Sequence, residues 1–267
     1  MKILKNAGWF EVLSTPENVI KDIATAARTC YQTQDKSTPV SDEILVKNLM
    51  KRQHFAMFEF SHLNVRFNDV CRGFTHEMVR HRLSSFAQES TRYVDESNLH
   101  CVVPPHKDET ENYLYKNTAY PEVTINLEDW FDGNQRMYET LRNNGWNKED
   151  ARQVLPIATR SQIVVGANIR EWRHIFKMRC DHFAHWEIRK VMIDLLKWCQ
   201  KNIPIVFDDF KFFTTESGIE YARIMMHSHL ISEAIQENGD VEDIISRLPV
   251  EYLLRIKKYL SEKEIGE

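Results

Sequence analysis

Between Phe58 and Phe67 the chain alternates, with Leu63, Val65 and Phe67 on one side and Asn64 and Arg66 on the other. Successive strand residues point to opposite faces, so this is a strand with one wet face. Most of the remaining chain has helical spacing instead. A short N-terminal strand precedes a helix after Pro16, where Val19, Ile20, Ile23 and Ala27 recur on one face, and a second helix follows around residues 42–53. A long helix is predicted over 119–143, stopped by Asn143-Asn144-Gly145, and another starts on Asn147 as cap. Thr159–Gly166 reads as a strand, Asn168–Arg179 as a helix, and Ala184–Lys201 as a strongly amphipathic helix. With eight glycines and no Gly-rich dinucleotide loop, a Rossmann fold is disfavoured. The expected class is α+β with helices dominating.

The 267 residues, 42% hydrophobic, suffice for one cored domain with an appendage. After about residue 213, Ile219, Ala222, Met226, Leu230 and Ala234 have helical spacing, and 241–260 gives a second helix with Leu248, Tyr252 and Ile256 in step. This tail reads as a helical hairpin without assigned chemistry. A net charge of -4 argues against a nucleic-acid polymer as partner, so any anion binding must be local. Five cysteines without a C-x-x-C pair imply neither a disulfide framework nor a zinc ribbon. The start lacks an apolar leader and no later run could span a bilayer, which predicts a soluble, cytoplasmic protein.

Residues 80–93, RHRLSSFAQESTRY, have no apolar period to explain them. Upstream, Asp69 is a plausible cap for a short helix burying Val70, Phe74 and Met78, which places Arg80, His81 and Arg82 in its last turn, where cations suit the helix dipole. Charge compensation leaves Ser84, Ser85, Gln88, Glu89, Ser90, Thr91 and Arg92 unaccounted for, in a segment ending on strand-like Arg92-Tyr93-Val94. A loop dense in hydroxyls and forked guanidiniums suits a planar, phosphate-bearing ligand. A phosphate or nucleotide site is favoured over a solvated loop, and the polar span 104–117 is read as a surface loop followed downstream by helix.

These residues resemble the signature of the flavin-dependent thymidylate synthases: Arg-His-Arg, seven residues, Ser, then x-Arg-Tyr, here Arg80-His81-Arg82, Ser90 and Arg92-Tyr93. The resemblance continues at His54-Phe55-Ala56-Met57-Phe58-Glu59, at Arg152 before Leu155-Pro156, and from Asn168-Ile169-Arg170 through His174 to Arg179-Cys180-Asp181 and Trp186-Glu187. It covers roughly residues 1–213, with 214–267 an extension. It implies the thymidylate synthase-complementing fold, an antiparallel sheet packed with long helices, and a homotetramer with active sites between subunits. The implied reaction is reductive methylation of dUMP to dTMP, with methylenetetrahydrofolate as carbon donor and FAD, reduced by NADPH, as hydride source. No cysteine nucleophile is required.

The resemblance also implies roles. Arg179 would contact the uracil ring and favour its ionised form; Ser90, Arg92 and Arg152 would hold the phosphate, with Glu77, Arg80, Gln88, Glu89 and Thr91 completing the dUMP set. Arg80, His81, Arg82, Gln88, Asn168, Ile169, Arg170 and His174 would line FAD, and His54 is a folate candidate. On residue type alone, Arg179 closes an apolar stripe with Trp172 and Phe176 and demands a carboxylate, Asp181 or another. Glu59 could simply pair with an arginine, and Ser90 lacks an evident base, so it reads as a ligand rather than a nucleophile. The chain departs from the family at Glu77 (often Gln), Ala87-Gln88 (often Asn-Glu), Phe183 (often a flavin-facing His) and His174 (often Asn). A dUMP hydroxymethylase variant, a metal-dependent nucleotide phosphohydrolase using Asp181, His182 and His185 with His76 or His81, and a non-enzymatic nucleotide binder are the alternatives; no metal site is expected on the leading reading.

Overall fold

The structure, a computed structural model, describes residues 1–115 and 123–224, of which Met1–Arg223 belong to one compact unit. Two short strands open the chain, β1 (Lys2–Lys5) and β2 (Trp9–Ser14), where one was expected. Helices α1 (Val19–Tyr31) and α2 (Pro39–Lys51) follow, each started by a side-chain cap. Asn18 accepts from the Lys21 N–H at 2.9 Å, and Thr38 and Ser41 form a reciprocal box behind Pro39. Arg28 Nε donates to Asp42 Oδ1 at 2.8 Å in a buried ion pair that ties the two helices together.

Strand β3 (His62–Cys71) carries the alternation, with Leu63, Val65 and Phe67 fully buried. It starts later than expected because Phe55–Phe60 forms a 3-10 turn, and it runs through Asp69, the expected helix cap. Asp69 instead sits in a bulge at φ 53°, accepting from Trp9 Nε1 at 3.0 Å and Arg160 Nε at 2.9 Å. The cap of helix α3 (Arg72–Met78) is Cys71, whose sulfur accepts from the Phe74 N–H at 3.4 Å. Arg80, His81 and Arg82 therefore lie beyond the helix rather than in its last turn.

Strand β4 (Ser85–Gln88) occupies the signature loop, whereas Arg92–Val94 is a turn in which the Tyr93 and Val94 N–H groups donate to Ser90 O at 3.0 and 2.9 Å. After β5 (His100–Val103), the expected loop contains β6 (Tyr113–Tyr115), paired with β7 (Val123–Ile125). Helix α4 (Leu127–Asn143) consequently starts later than residue 119, on Asn126 as cap, and ends where Asn143-Asn144-Gly145 stops it. The remaining elements are α5 (Lys148–Ala151) capped by Asn147, β8 (Arg160–Asn168), α6 (Ile169–Arg179), α7 (Trp186–Asn202), β9 (Phe210–Thr214) and β10 (Glu220–Ile224). The last corrects the helix expected from Ile219: Gly218, at φ 80°, reverses the chain and pairs β10 with β9. The other positions of the two C-terminal helices lie outside the described residues.

The main sheet has the order β2-β3-β8-β4 with every pair antiparallel, and β1 pairs β5 in parallel beside it, so the architecture is α+β. Trp172 and Phe176 of α6 are fully buried; the indole donates to Leu63 O at 2.9 Å and packs on Phe67. Helix α7 is fastened through buried Glu187, which accepts from the Cys71 N–H and Sγ, both at 2.8 Å. Burial, with the adjacent Glu187 carboxylate, pushes the Cys71 thiol up to about 12. Phe176 meets Phe207 and Phe210 edge-on at 5.5 and 6.2 Å. Phe176→Ala is expected to cost about 3–5 kcal/mol of stability, read as a lower urea midpoint at unchanged slope.

Candidate active site

Strand β8 passes directly into α6 at Asn168, which pairs with His62 in the sheet while its Oδ1 accepts from the Glu171 N–H at 2.8 Å. This seam aims the helix. Its inner face buries Trp172, Ile175 and Phe176, leaving His174 exposed and Arg179 half-buried at the C-terminal end.

Arg179 is the hub of the site. Its Nη1 donates to Glu77 Oε2 at 2.6 Å, its Nη2 to Glu77 O at 2.8 Å, and its Nε to His81 Nε2 at 3.0 Å. The required carboxylate is thus Glu77, and Asp181 instead accepts from Arg223 Nε at 2.8 Å. Because His81 Nε2 accepts, the imidazole is neutral with its proton on Nδ1, which faces Glu171 Oε1 at 3.7 Å. Burial, with repulsion from Arg179 and His174, pushes the His81 pKa down to about 4. Glu171 is buried beneath the ring, and desolvation holds its carboxyl above the ordinary range.

A second group lies around the signature's hydroxyls. Arg152 Nη1 donates to Thr91 Oγ1 at 3.2 Å, and Ser90 Oγ accepts from the Arg92 N–H at 3.3 Å. The Arg92 guanidinium turns to Glu149, Nε to Oε2 at 2.7 Å, in an exposed pair that water screens and a phosphate could exchange. Among the described residues Ser90 Oγ meets no imidazole, which agrees with a binding role. Gln88 Nε2 donates to Thr75 Oγ1 at 2.8 Å, and the buried Glu89 carboxylate faces Arg160 at 3.5 Å, so both side chains have structural partners.

The expected flavin set is only partly gathered. Arg80 and Arg82 are exposed on the turn after α3, and neither lies within ion-pair distance of a carboxylate among the described residues. The His174 ring stands edge-on to His81 at 5.6 Å. Ile169 offers no side chain: it is fully buried and its N–H donates to Ser61 O at 2.9 Å. His54 and Arg170 share a cleft of about 390 Å³ with Tyr31, Phe55 and Met57, and Arg170 pairs with Glu59 at 2.5 Å, the simple pairing weighed for that carboxylate.

His81, Glu171 and His174 bring one ligand atom each within 4.8 Å of one another. The Arg179 guanidinium, hydrogen-bonded to the far side of the same ring at Nε2, places a positive charge that opposes a cation there. In the set weighed for a phosphohydrolase, Arg223 engages both Asp181 and His182 Nδ1, the latter at 2.8 Å, leaving a guanidinium where an ion would sit. Cys71, Cys101, Cys180 and Cys199 are buried, and burial raises every one of these thiols, so none is an activated nucleophile. Glu171 escaped the sequence reading because one acidic residue in a charged helix carries no sign of burial. Arg223 escaped it because it lies beyond the signature elements.

A family model described as "Thymidylate synthase complementing protein" matches residues 11–205. The chain is similar to proteins named flavin-dependent thymidylate synthase from Corynebacterium glutamicum and from Mycobacterium avium, each 34% identical over 207 residues that cover 74% of this chain and 82% of the relative. Among solved structures it resembles PolB of Streptomyces cacaoi, a UMP/dUMP methylase bound with 5-Br dUMP, with TM-score 0.61 and 21% identity over 78% of this chain and 96% of that one. The last likeness concerns the fold.

The state of His81 sets an acid limit. An unfolded histidine titrates near 6.5, so between there and about 4 the unfolded chain takes up a proton that folded His81 refuses. Stability is therefore lost as pH falls through this window. From pH 7 to pH 5 the loss from this group is on the order of 2 kcal/mol. Urea unfolding at both pH values should show a correspondingly smaller difference for His81→Gln than for the unsubstituted protein.

Proposed function

This chain belongs to the family of thymidylate synthase complementing proteins, and on that footing we propose that it is a flavin-dependent thymidylate synthase converting dUMP to dTMP. The observation that carries the reading is Arg179, a cation held by Glu77 and His81 where α6 meets the signature segment. A fixed, half-buried guanidinium beside a pyrimidine stabilises negative charge developing on the ring without a proton transfer from the protein. Arg152 with Thr91, Ser90 and the exchangeable Arg92 are suited to the dianionic phosphate.

The donor chemistry fits an anionic, planar cofactor. Arg80 and Arg82 offer exposed charges, while Asn168, Arg170 and His174 lie on or beside the first turns of α6. Bound FAD, reduced by NADPH, would supply the hydride, and methylenetetrahydrofolate the carbon. His54, in the cleft with Arg170, is the residue we place nearest the folate. Glu77 would orient Arg179, and Glu171 beneath His81 would keep the proton on Nδ1 and the acceptor lone pair toward Arg179. The catalytic domain expected over 1–213 is proposed to continue through β10. Assembly is proposed as a homotetramer with sites between subunits. Among the described residues no helix is long and apolar enough to cross a membrane, and a cytoplasmic location is part of the same proposal.

Mass spectrometry of the nucleotide formed from dUMP, methylenetetrahydrofolate and NADPH, by FAD-loaded protein under low oxygen, tests this reading. dTMP is expected only in the complete mixture. Hydroxymethyl-dUMP would instead assign the chain to a hydroxymethylase, and unchanged dUMP would end the synthase reading. Arg179→Ala should lower methylation by about 10²–10³-fold while leaving the flavin absorbance per chain unchanged. Loss of flavin would reassign this arginine to the cofactor.

A further inference from the structure

Helix α6 is held at two places by residues past the family-matched part of the chain, which ends at residue 205. In mid-helix, buried Arg173 grips Asp209 with both terminal nitrogens, at 2.8 and 2.5 Å, and donates to Val206 O. Its guanidinium lies 4.9 Å from the Phe55 ring and 5.4 Å from that of Phe210. At the C-terminal end, the Ala222 N–H donates to Cys180 O at 2.8 Å, Arg223 Nε donates to Asp181 Oδ2 at 2.8 Å, and Arg223 Nη2 lies 2.8 Å from His182 Nδ1. The three residues that follow Arg179 are thus each engaged by β10.

The last turn of a helix ends in carbonyls without intrahelical partners and is where a helix frays. Arg179 occupies that turn, and Cys180, its fully buried C-cap, contributes such a carbonyl to β10. Arg223 is itself braced, its guanidinium 5.2 Å from the Tyr221 ring, which stacks on Phe213 at 5.4 Å. We propose that Arg223 is a positioning residue for Arg179: through Asp181 and His182 it fixes the turn after α6, so that the guanidinium stays between Glu77 and His81. The inference rests on reading Arg179 as the group that activates the pyrimidine. Misplacing such a group by about 1 Å can cost on the order of 10²-fold in rate.

Full-length, flavin-loaded Arg223→Ala and Arg223→Lys are compared with the unsubstituted enzyme for kcat, KM for dUMP, flavin content and melting temperature. The alanine variant is expected to lose about tenfold or more in kcat, with KM within about twofold, full flavin content, and most of the rate restored by lysine, which can still reach Asp181. Unchanged kcat in both variants, even with a lower melting temperature, would overturn the proposal and leave β10 a purely structural strand. Should Arg223→Ala not fold, Asp181→Asn, which keeps the shape and removes the charge, is judged by the same criterion. An unsubstituted enzyme that forms no product would count against the synthase reading instead. The clamp would then be judged by hydrogen exchange across residues 177–183, where rates equal in the alanine variant and the unsubstituted protein would overturn it.

Discussion

The site depends on the seam at Asn168, where one residue ends a central strand and starts a helix. Strand β8 is hydrogen-bonded on both sides, to β3 and to β4, so its register is fixed by two partners. A slip of one residue would turn its buried Ile163, Val165 and Ala167 outward, which makes the register costly to change. Since no loop intervenes, that register also sets the origin and direction of α6. Arg170, His174 and Arg179 are therefore placed by sheet pairing before they make any contact of their own.

Along the line Glu77, Arg179 and His81, burial and the neighbouring charge together set the state of each group. Glu77 compensates a guanidinium that burial would otherwise penalise. Burial keeps His81 neutral, and Arg179 adds to it, since a protonated ring would put two cations in contact. Arg80 and Arg82 put two exposed cations on the signature turn, although the chain as a whole carries -4. An anion held here would be held by local placement, as the overall charge requires.

Where spacing dictates structure, the sequence was readable. Helices α1, α6 and α7 and the wet-faced strand β3 follow from side-chain period, and Asn147 and Asn143-Asn144-Gly145 marked real boundaries. The signature identified the stretch on which Arg179, Glu77 and His81 converge. The misses have separate causes. A cysteine cap at α3 is a weak acceptor with no cap signal, and the bulge at Asp69 disguised three strand residues as a helix start. Helical spacing from Ile219 was overruled by Gly218 and pairing with β9. The Glu77–Arg179 pair spans 102 residues, and only tertiary structure could select it over the adjacent Asp181.

The distribution of sulfur gives the molecule one chemical address. Four of its five thiols are buried, and that of Cys71 is further disarmed by a carboxylate 2.8 Å away. Cys30 alone is exposed, on the lip of the cleft it shares with Tyr31, His54 and Arg170. A thiol-directed electrophile that leaves the fold intact therefore finds one accessible cysteine, and whatever fills the cleft stands in its way.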